Sequence, residues 1–191
     1  MSNILEDFMG SIGGEAVSKL SSQLGIDKST AGAIIPQVLP MVLGGLKKQK
    51  DSNGGEERVE HILNKYGSSN VLDNVGDLFS AKAKDPNPDP SLGGLLGNAG
   101  EQASNLIGKQ FNLDSNTATK IIPMVAPLVL GFLTKKKNEG AGLSGIASLL
   151  DQDGDGNILD DVGGFLLNSL GDSSSGGALG GLLGGILGGK K

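Results

Sequence analysis

The feature that most constrains this chain is an internal repeat: the sequence aligns with itself, without a gap, when it is shifted by 87 residues. Under this shift, residues 15–50 and 102–137 are identical at 16 of 36 positions. A period of this length is too long for a solenoid of helix pairs, whose repeats span about 20–45 residues. The chain is therefore interpreted as a tandem duplication of one small domain.

Short segments rich in glycine and leucine recur at the start of each copy and again after the second, and we call these segments leaders. Leader 1 is Leu5–Gly10, leader 2 is Leu92–Gly97 and leader 3 is Leu179–Gly184. Leaders 2 and 3 both read LGGLLG. Around leader 3, glycines recur four residues apart beside a stripe of leucine and isoleucine, which predicts a helix suited to close helix contact.

Two joins divide the chain. Three prolines between residues 85 and 90 predict an extended, stiff linker, whereas the polar run DSSSGG over residues 172–177 predicts a flexible one. We predict a first helical repeat over residues 1–84, a linker over 85–90, a second repeat over 91–171 and a Gly/Leu-rich segment over 172–191.

The pattern of apolar residues predicts an all-α fold, because no segment alternates with period two for long enough to indicate a strand. Asp27 and Asp114 stand where helix N-caps are expected. The helix after each cap contains two prolines four residues apart, so we expect a kink, or two short helices meeting, near Pro36 and Pro123. Other helices are predicted at residues 16–24, 59–63 and 71–79 and at their counterparts 103–111, 146–150 and 158–170.

One loop carries metal-binding chemistry. Residues 151–158 read DQDGDGNI, with acids at loop positions 1, 3 and 5 and glycine at position 6. This is the pattern of calcium loops, in which alternate residues direct oxygens towards a cation that prefers six to eight of them. Position 12 is Val162 rather than an acid, so weaker binding is expected. We predict one calcium ion, held by Asp151, Asp153, Asp155, Asn157, Asp160 and Asp161.

The first copy provides an internal control. Its matching loop over residues 64–70 reads NKYGSSN, without acids at the three key positions, and is not expected to bind calcium. Asp160 has a counterpart in Asp73 of this copy, which leaves a role as helix N-cap open. Asp161, opposite Asn74, is the better candidate for the closing ligand. The alternative interpretation of the whole acidic loop is a solvated turn that caps a helix.

Composition excludes several classes of function. The chain has no cysteine and one histidine, which removes thiol chemistry, disulfides and Cys/His catalysis. A net charge of −5 does not favour nucleic acid as a partner. His61 is interpreted as a surface or structural residue, because no second catalytic group accompanies it. With no carboxylate pair or nucleotide-binding motif found, we do not expect an enzyme.

The N-terminus and the apolar runs bear on location. Residues 1–14 lack the basic start and apolar run of a signal peptide. The longest apolar runs, residues 34–46 and 121–133, are shorter than the about 20 residues that span a membrane, so we interpret them as buried core helices. We expect a cytoplasmic protein, with non-classical export left open. The alternative function is association with a membrane interface through the Gly/Leu-rich segments.

Together these motifs resemble the YidB-like bacterial domain-of-unknown-function family (family 937). The resemblance is carried by LGIDKSTA at residues 24–31, IIPQVLPMVLG at residues 34–44, the acidic loop and the leaders. It implies a small helical bacterial domain without assigned activity, in which an acidic loop is common. We expect a non-enzymatic module for protein–protein assembly. If each leader packs against the repeat that follows it, leader 3 has no repeat of its own. It then either docks on a neighbouring molecule, which gives a homo-oligomer, or folds back to close the monomer.

Overall fold

The computed structural model describes residues 4–142 of the 191-residue chain. Residues in this range form helices and turns, and none of them lies in a β-strand, which confirms the all-α prediction for the described part. The later helices of the second copy, the acidic loop and leader 3 were all predicted at residues that lie outside this range.

Seven α-helices follow one another in the described part of the chain. The first copy begins with α1 (Ile4–Phe8), which continues through a π-helical segment (Met9–Gly13) into α2 (Gly14–Leu24). Its other elements are α3 (Lys28–Asn53), α4 (Gly55–Tyr66), a 3-10 turn (Ser69–Leu72) and α5 (Val75–Ala83). The second copy contributes α6 (Asn98–Gln110), α7 (Ser115–Lys136) and a π-helical segment (Lys137–Ala141).

The two predicted N-caps are confirmed. The Asp27 carboxylate accepts hydrogen bonds from the Thr30 backbone N–H at 2.8 Å and from its hydroxyl at 2.6 Å, and so caps α3. Asp114 accepts the equivalent pair from Thr117, at 3.0 and 2.5 Å, and caps α7. In both cases one carboxylate satisfies a backbone donor that the first turn of a helix leaves open.

These caps predict how the protein responds to acid. The Thr30 hydroxyl and amide lower the pKa of Asp27 to about 2, and Thr117 likewise lowers the pKa of Asp114. Their stabilisation is therefore complete above the unfolded pKa of about 3.9 and is lost as the pH falls towards the folded value. We expect an Asp27→Asn/Asp114→Asn variant to melt at a lower temperature than the parent protein near neutral pH. Its melting temperature should fall less than that of the parent when the pH is lowered. Parallel melting curves against pH for both proteins would contradict this assignment.

Both long helices continue through their prolines. α3 contains Pro36 and Pro40, and α7 contains Pro123 and Pro127, in helices of 26 and 22 residues. Of the two alternatives expected near Pro36 and Pro123, two short helices meeting is therefore wrong, and a kink within a continuous helix stays a prediction. Each proline removes a backbone hydrogen bond, but many of the surrounding residues are buried in the core, and this packing stabilises the helix where the local sequence alone would interrupt it.

In contrast, the helix predicted from Val71 to Phe79 is divided into two elements. The 3-10 turn ends at Leu72 and α5 begins at Val75, so that a single helix is wrong over this range. Contact with α7 explains the difference, because the 3-10 turn packs directly on that helix. Tertiary packing therefore decides the conformation of this stretch.

The described parts of the two copies share one hydrophobic core. α7 of the second copy packs against α3, α4, α5 and the 3-10 turn of the first copy. Buried residues of α3 and α7 belong to the same hydrophobic cluster. The chain between the copies, over residues 84–90, is irregular. The limits of the two repeats at residues 84 and 91 stay predictions. In the described part of the chain, the two copies pack together around one core.

Two helices are long and apolar enough to cross a membrane, judged by length and composition. They span Lys28–Asn53 and Ser115–Gly140, with mean hydropathies of 1.4 and 1.5. Both are longer than the apolar runs in the sequence, so the argument from length alone does not hold. However, 56% and 72% of their most apolar windows are buried inside the protein. This burial favours the interpretation as core helices.

Candidate functional site

Leader 2 is not a helix but a series of turns. Its residues Leu92, Gly93, Gly94 and Gly97 have φ angles of 52°, 61°, 92° and 54°, which lie in the left-handed region. Glycine adopts this region readily, so three of the four positions have the residue that the backbone requires. Leu95 and Leu96, between these turns, are buried with 6% and 7% exposure. The turns thus direct two leucines into the core.

The leucines of leader 2 meet α3 at Gly45. A Cβ atom placed at Gly45 would lie 2.5 Å from Leu96 Cδ2 and 3.1 Å from the Leu95 carbonyl oxygen, so any larger residue there would force the Leu96 side chain and the leader backbone to shift. One helical turn further, Gln49 Nε2 donates a hydrogen bond of 3.2 Å to the Gly94 carbonyl oxygen. We call Gly45 and Gln49 the α3 docking site.

A carboxylate holds the chain in place just before leader 2. Asp89 accepts hydrogen bonds from the backbone N–H groups of Ser91 at 2.9 Å and Gly93 at 2.7 Å, and from the Ser91 hydroxyl. The Ser91 hydroxyl and the Gly93 amide lower the pKa of Asp89. The charged form of Asp89 therefore stabilises the turn that presents leader 2 to α3.

Leader 1 occupies a similar position on α7. The ring of Phe8 meets the ring of Phe132 edge-on, with centroids 5.4 Å apart and an interplanar angle of 87°. The Asp7 carboxylate pairs with Lys136 Nζ at 3.2 Å. Lys136 Nζ also lies 5.5 Å from the Phe132 ring centroid. We call Phe132 and Lys136 the α7 docking site.

The two docking sites are equivalent under the 87-residue shift, and so are the leader residues that bind there. Each leader makes these contacts with the long helix of the other copy, not with the repeat that follows it. The expectation that a leader packs on its following repeat therefore does not describe these contacts. The corresponding pairs are Gly45 and Phe132, Gln49 and Lys136, Leu95 and Phe8, and Gly94 and Asp7.

A cleft of about 300 Å³ lies beside leader 2. Tyr66, which is 43% exposed, lines both this cleft and a smaller hollow of about 130 Å³. The hollow contains the basic side chains of Arg58, His61 and Lys65. His61 is exposed, in agreement with its interpretation as a surface residue. The lining of the larger cleft is mixed: Tyr66, Lys82, Asp85, Asn87, Asp89, Leu92, Gly93, Leu95, Pro123, Ala126, Pro127 and Leu130.

A family model described as bacterial protein of unknown function (DUF937) matches residues 6–136 and, separately, residues 133–191. The chain belongs to this family. The first match includes leader 1 from Glu6 onwards, leader 2 and both docking sites, and the second includes the acidic loop and leader 3. The two separate matches to one family model support the tandem duplication in part. No curated protein and no solved structure matches the chain.

The predicted calcium ligands of this family member all lie outside the described residues. Between residues 4 and 142, no group of three or more His, Asp and Glu side chains is placed to hold a metal ion. The first copy bears on one detail of this prediction, which is the role of Asp160 as a possible helix N-cap. The N-cap position of α5 is Asn74, whose side chain donates a 3.0 Å hydrogen bond to the Asn70 carbonyl oxygen. Asp73 precedes the cap, so its counterpart Asp160 does not match a capping residue.

Proposed function

We propose that this protein is a non-enzymatic helical interaction module, in which leader 3 of one molecule docks on α3 of a second molecule. The observation that carries this proposal is the occupancy of the docking sites. Leaders 1 and 2 fill the α7 and α3 docking sites of the described chain. Leader 3 is therefore additional to the leaders that complete the fold, yet it has all six residues of leader 2.

The sequence of leader 3 suits the α3 docking site better than the α7 docking site. The α7 docking site binds a phenyl ring and a carboxylate of leader 1, and leader 3 has Leu182 and Gly181 at these positions. The α3 docking site requires leucines that fit against Gly45 and a backbone carbonyl oxygen for Gln49. Leader 3 has both, since its six residues are those of leader 2.

The expected self-association is weak and depends on concentration. The α3 docking site already holds leader 2 of its own chain, whose tether gives an effective concentration of about 1 mM. A leader from a second molecule must displace leader 2, and this exchange does not increase the number of filled docking sites. We therefore expect association only at protein concentrations of about 0.1 mM and above.

Sedimentation equilibrium over a range of concentrations tests this proposal. We expect the mean mass of the full chain to rise with concentration and that of a chain without residues 177–191 to remain at the monomer value. The matched control is the full-length Leu182→Ala/Leu183→Ala variant, which lacks the side chains equivalent to Leu95 and Leu96 and should also stay monomeric.

Thermal melting of the same proteins distinguishes leader 3 docked on a second molecule from leader 3 docked within its own chain. If it docks between molecules, its removal leaves the melting temperature of the dilute protein unchanged, because leaders 1 and 2 complete the described core. A lower melting temperature with no change in mass would place leader 3 within its own chain and contradict the proposal.

We also propose that the acidic loop binds one calcium ion with a structural role. The support is the spacing of its oxygen donors in the sequence, from Asp151 to Asp161. The loop lies between α7 and leader 3 in the chain. Bound calcium would neutralise its carboxylates and hold the chain between these two elements in one conformation.

The membrane-interface alternative is not favoured. Between residues 177 and 191 the basic residues are Lys190 and Lys191, whereas interfacial helices usually have a basic polar face. Leader 2, with the same six residues as leader 3, forms turns and buries its leucines in the protein. A cytoplasmic location and the exclusion of nucleic acid as a partner remain predictions.

A further inference from the structure

The turn of the first copy packs very closely on α7. A Cβ atom placed at Gly131 would lie 2.7 Å from Val71 Cγ2 and 2.8 Å from the Ser68 carbonyl oxygen. From the other side, a Cβ atom placed at Gly67 would lie 2.8 Å from the Leu130 carbonyl oxygen. Glycines on both the helix and the turn thus allow the two backbones to approach.

Both glycines of this contact have glycine counterparts under the 87-residue shift. Gly131 of α7 corresponds to Gly44 of α3, and Gly67 of the first turn corresponds to Gly154 in the acidic loop. The apolar partners are also matched. Their counterparts are Leu43 for Leu130, Leu150 for Leu63, Ile158 for Val71 and Leu159 for Leu72. Thr134, whose Oγ1 would lie 2.7 Å from a Cβ atom placed at Gly67, corresponds instead to Lys47 of α3. The second copy and α3 therefore hold the glycines and the apolar residue types of this contact.

Gly44 has no function in the described contacts. It lies inside α3, and no described atom falls within 4 Å of a Cβ atom placed there. Glycine in a helix interior destabilises the helix relative to alanine. A close contact of the kind seen at Gly131 gives a physical reason for glycine at this position.

The described fold already shows the same reciprocal arrangement. α2 of the first copy contacts α7 of the second, and α6 of the second copy contacts α3 of the first. The chain also changes direction at matching points after the two long helices, with φ angles of 68° at Gly55 and 62° at Gly142. Since the repeat has no gap, the second turn is as many residues from α7 as the first turn is from α3. It therefore has the same length of chain with which to reach across.

Charge adds to this correspondence. In the first copy, Lys137 Nζ lies 3.5 Å from Asn64 Oδ1, at the first position of the turn. Under the shift these residues correspond to Lys50 of α3 and Asp151 of the acidic loop. Lys137 Nζ also pairs with Glu60 at 3.4 Å, and Glu60 corresponds to Ala147. In the equivalent contact the carboxylate partner of the lysine would therefore come from the turn itself, as Asp151.

We propose that residues 151–159 dock across Gly44 of α3 in the same chain, as residues 64–72 dock across Gly131 of α7. The turn of each copy then lies on the long helix of the other copy. This inference does not depend on where leader 3 binds. Because Asp151 is also a predicted calcium ligand, bound calcium would compete with Lys50 for its carboxylate.

Alanine substitutions in the full chain give opposite results with and without this contact. Gly32→Ala, at an α3 position without described neighbours, should raise the melting temperature by about 2–4 °C through helix propensity. Gly131→Ala should lower it, because the new methyl group meets Val71 and the Ser68 carbonyl oxygen. We expect Gly44→Ala to lower the melting temperature as Gly131→Ala does. A rise like that of Gly32→Ala would overturn the proposal.

A double-mutant cycle tests which segment of the chain packs on Gly44. The loss caused by Gly44→Ala should become smaller in an Ile158→Ala background, as that of Gly131→Ala should in a Val71→Ala background. Additive effects of Gly44→Ala and Ile158→Ala would assign another segment to Gly44. The melts are repeated at two protein concentrations, because concentration dependence would show that the turn comes from a second molecule and would overturn the same-chain assignment.

Discussion

Calcium titration of the chelator-treated protein should reveal one binding site per chain, and the Asp153→Ala/Asp155→Ala variant should have none. These residues supply the carboxylates at loop positions 3 and 5, so the variant loses two of the predicted oxygen ligands. Because position 12 is Val162, we expect a dissociation constant of about 10–1,000 µM, at the weaker end of such loops. Saturating calcium at about 100 times that constant should stabilise the protein by about 2.7 kcal/mol.

Single substitutions in and beside the loop provide the controls for this titration. Asp73→Ala, which changes an exposed acid in the first copy, should leave binding unchanged. Asp161→Ala should weaken binding more than Asp160→Ala if position 11 closes the loop. No heat of binding and no calcium-dependent melting temperature in the parent protein would show that the acidic loop is only a solvated turn.

Replacing Gly45 by leucine should displace leader 2 from α3. The new side chain would occupy the space of Leu96 and the Leu95 carbonyl oxygen, so Leu95 and Leu96 would lose much of their burial. Helix propensity offsets about 0.8 kcal/mol of this loss. We expect a net destabilisation of about 2–5 kcal/mol, seen as a melting temperature lower by about 5–15 °C.

The control for this variant is Gly32→Leu, on the same helix at a position where no described atom lies within 4 Å. It should not lower the melting temperature. Adding Leu96→Ala to Gly45→Leu should recover part of the loss, because it removes the methyl group nearest to the new side chain. Equal melting temperatures for Gly45→Leu and Gly32→Leu would rule out the close contact between leader 2 and α3.

Local interactions explain which elements could be predicted. The caps at Asp27 and Asp114 bond to a residue three positions along the chain, so the sequence contains all that is needed to place them. The continuous helices through Pro36 and Pro123 could not be predicted in this way. Their stability comes from burial against other elements, and the local preference of proline points in the opposite direction.

The docking sites could not be predicted because they join residues far apart in the chain. Gln49 and Gly94 are 45 residues apart, and Asp7 and Lys136 are 129 apart. A signal was present in the repeat, since Gly45 and Gln49 differ from their counterparts Phe132 and Lys136 where most neighbouring positions agree. It becomes interpretable only when each helix is seen with the leader that it binds.

The sequence by itself determined the all-helical class, the 87-residue duplication, the starts of α3 and α7 and the acidic spacing of residues 151–161. These depend on composition, periodicity and contacts within one or two turns of chain. Only the tertiary structure decided that leader 2 forms turns, that the long helices remain intact and that leaders 1 and 2 each dock on the long helix of the other copy. The reason is physical: a glycine-rich hexapeptide has many accessible conformations, and the surface that buries its leucines selects one of them.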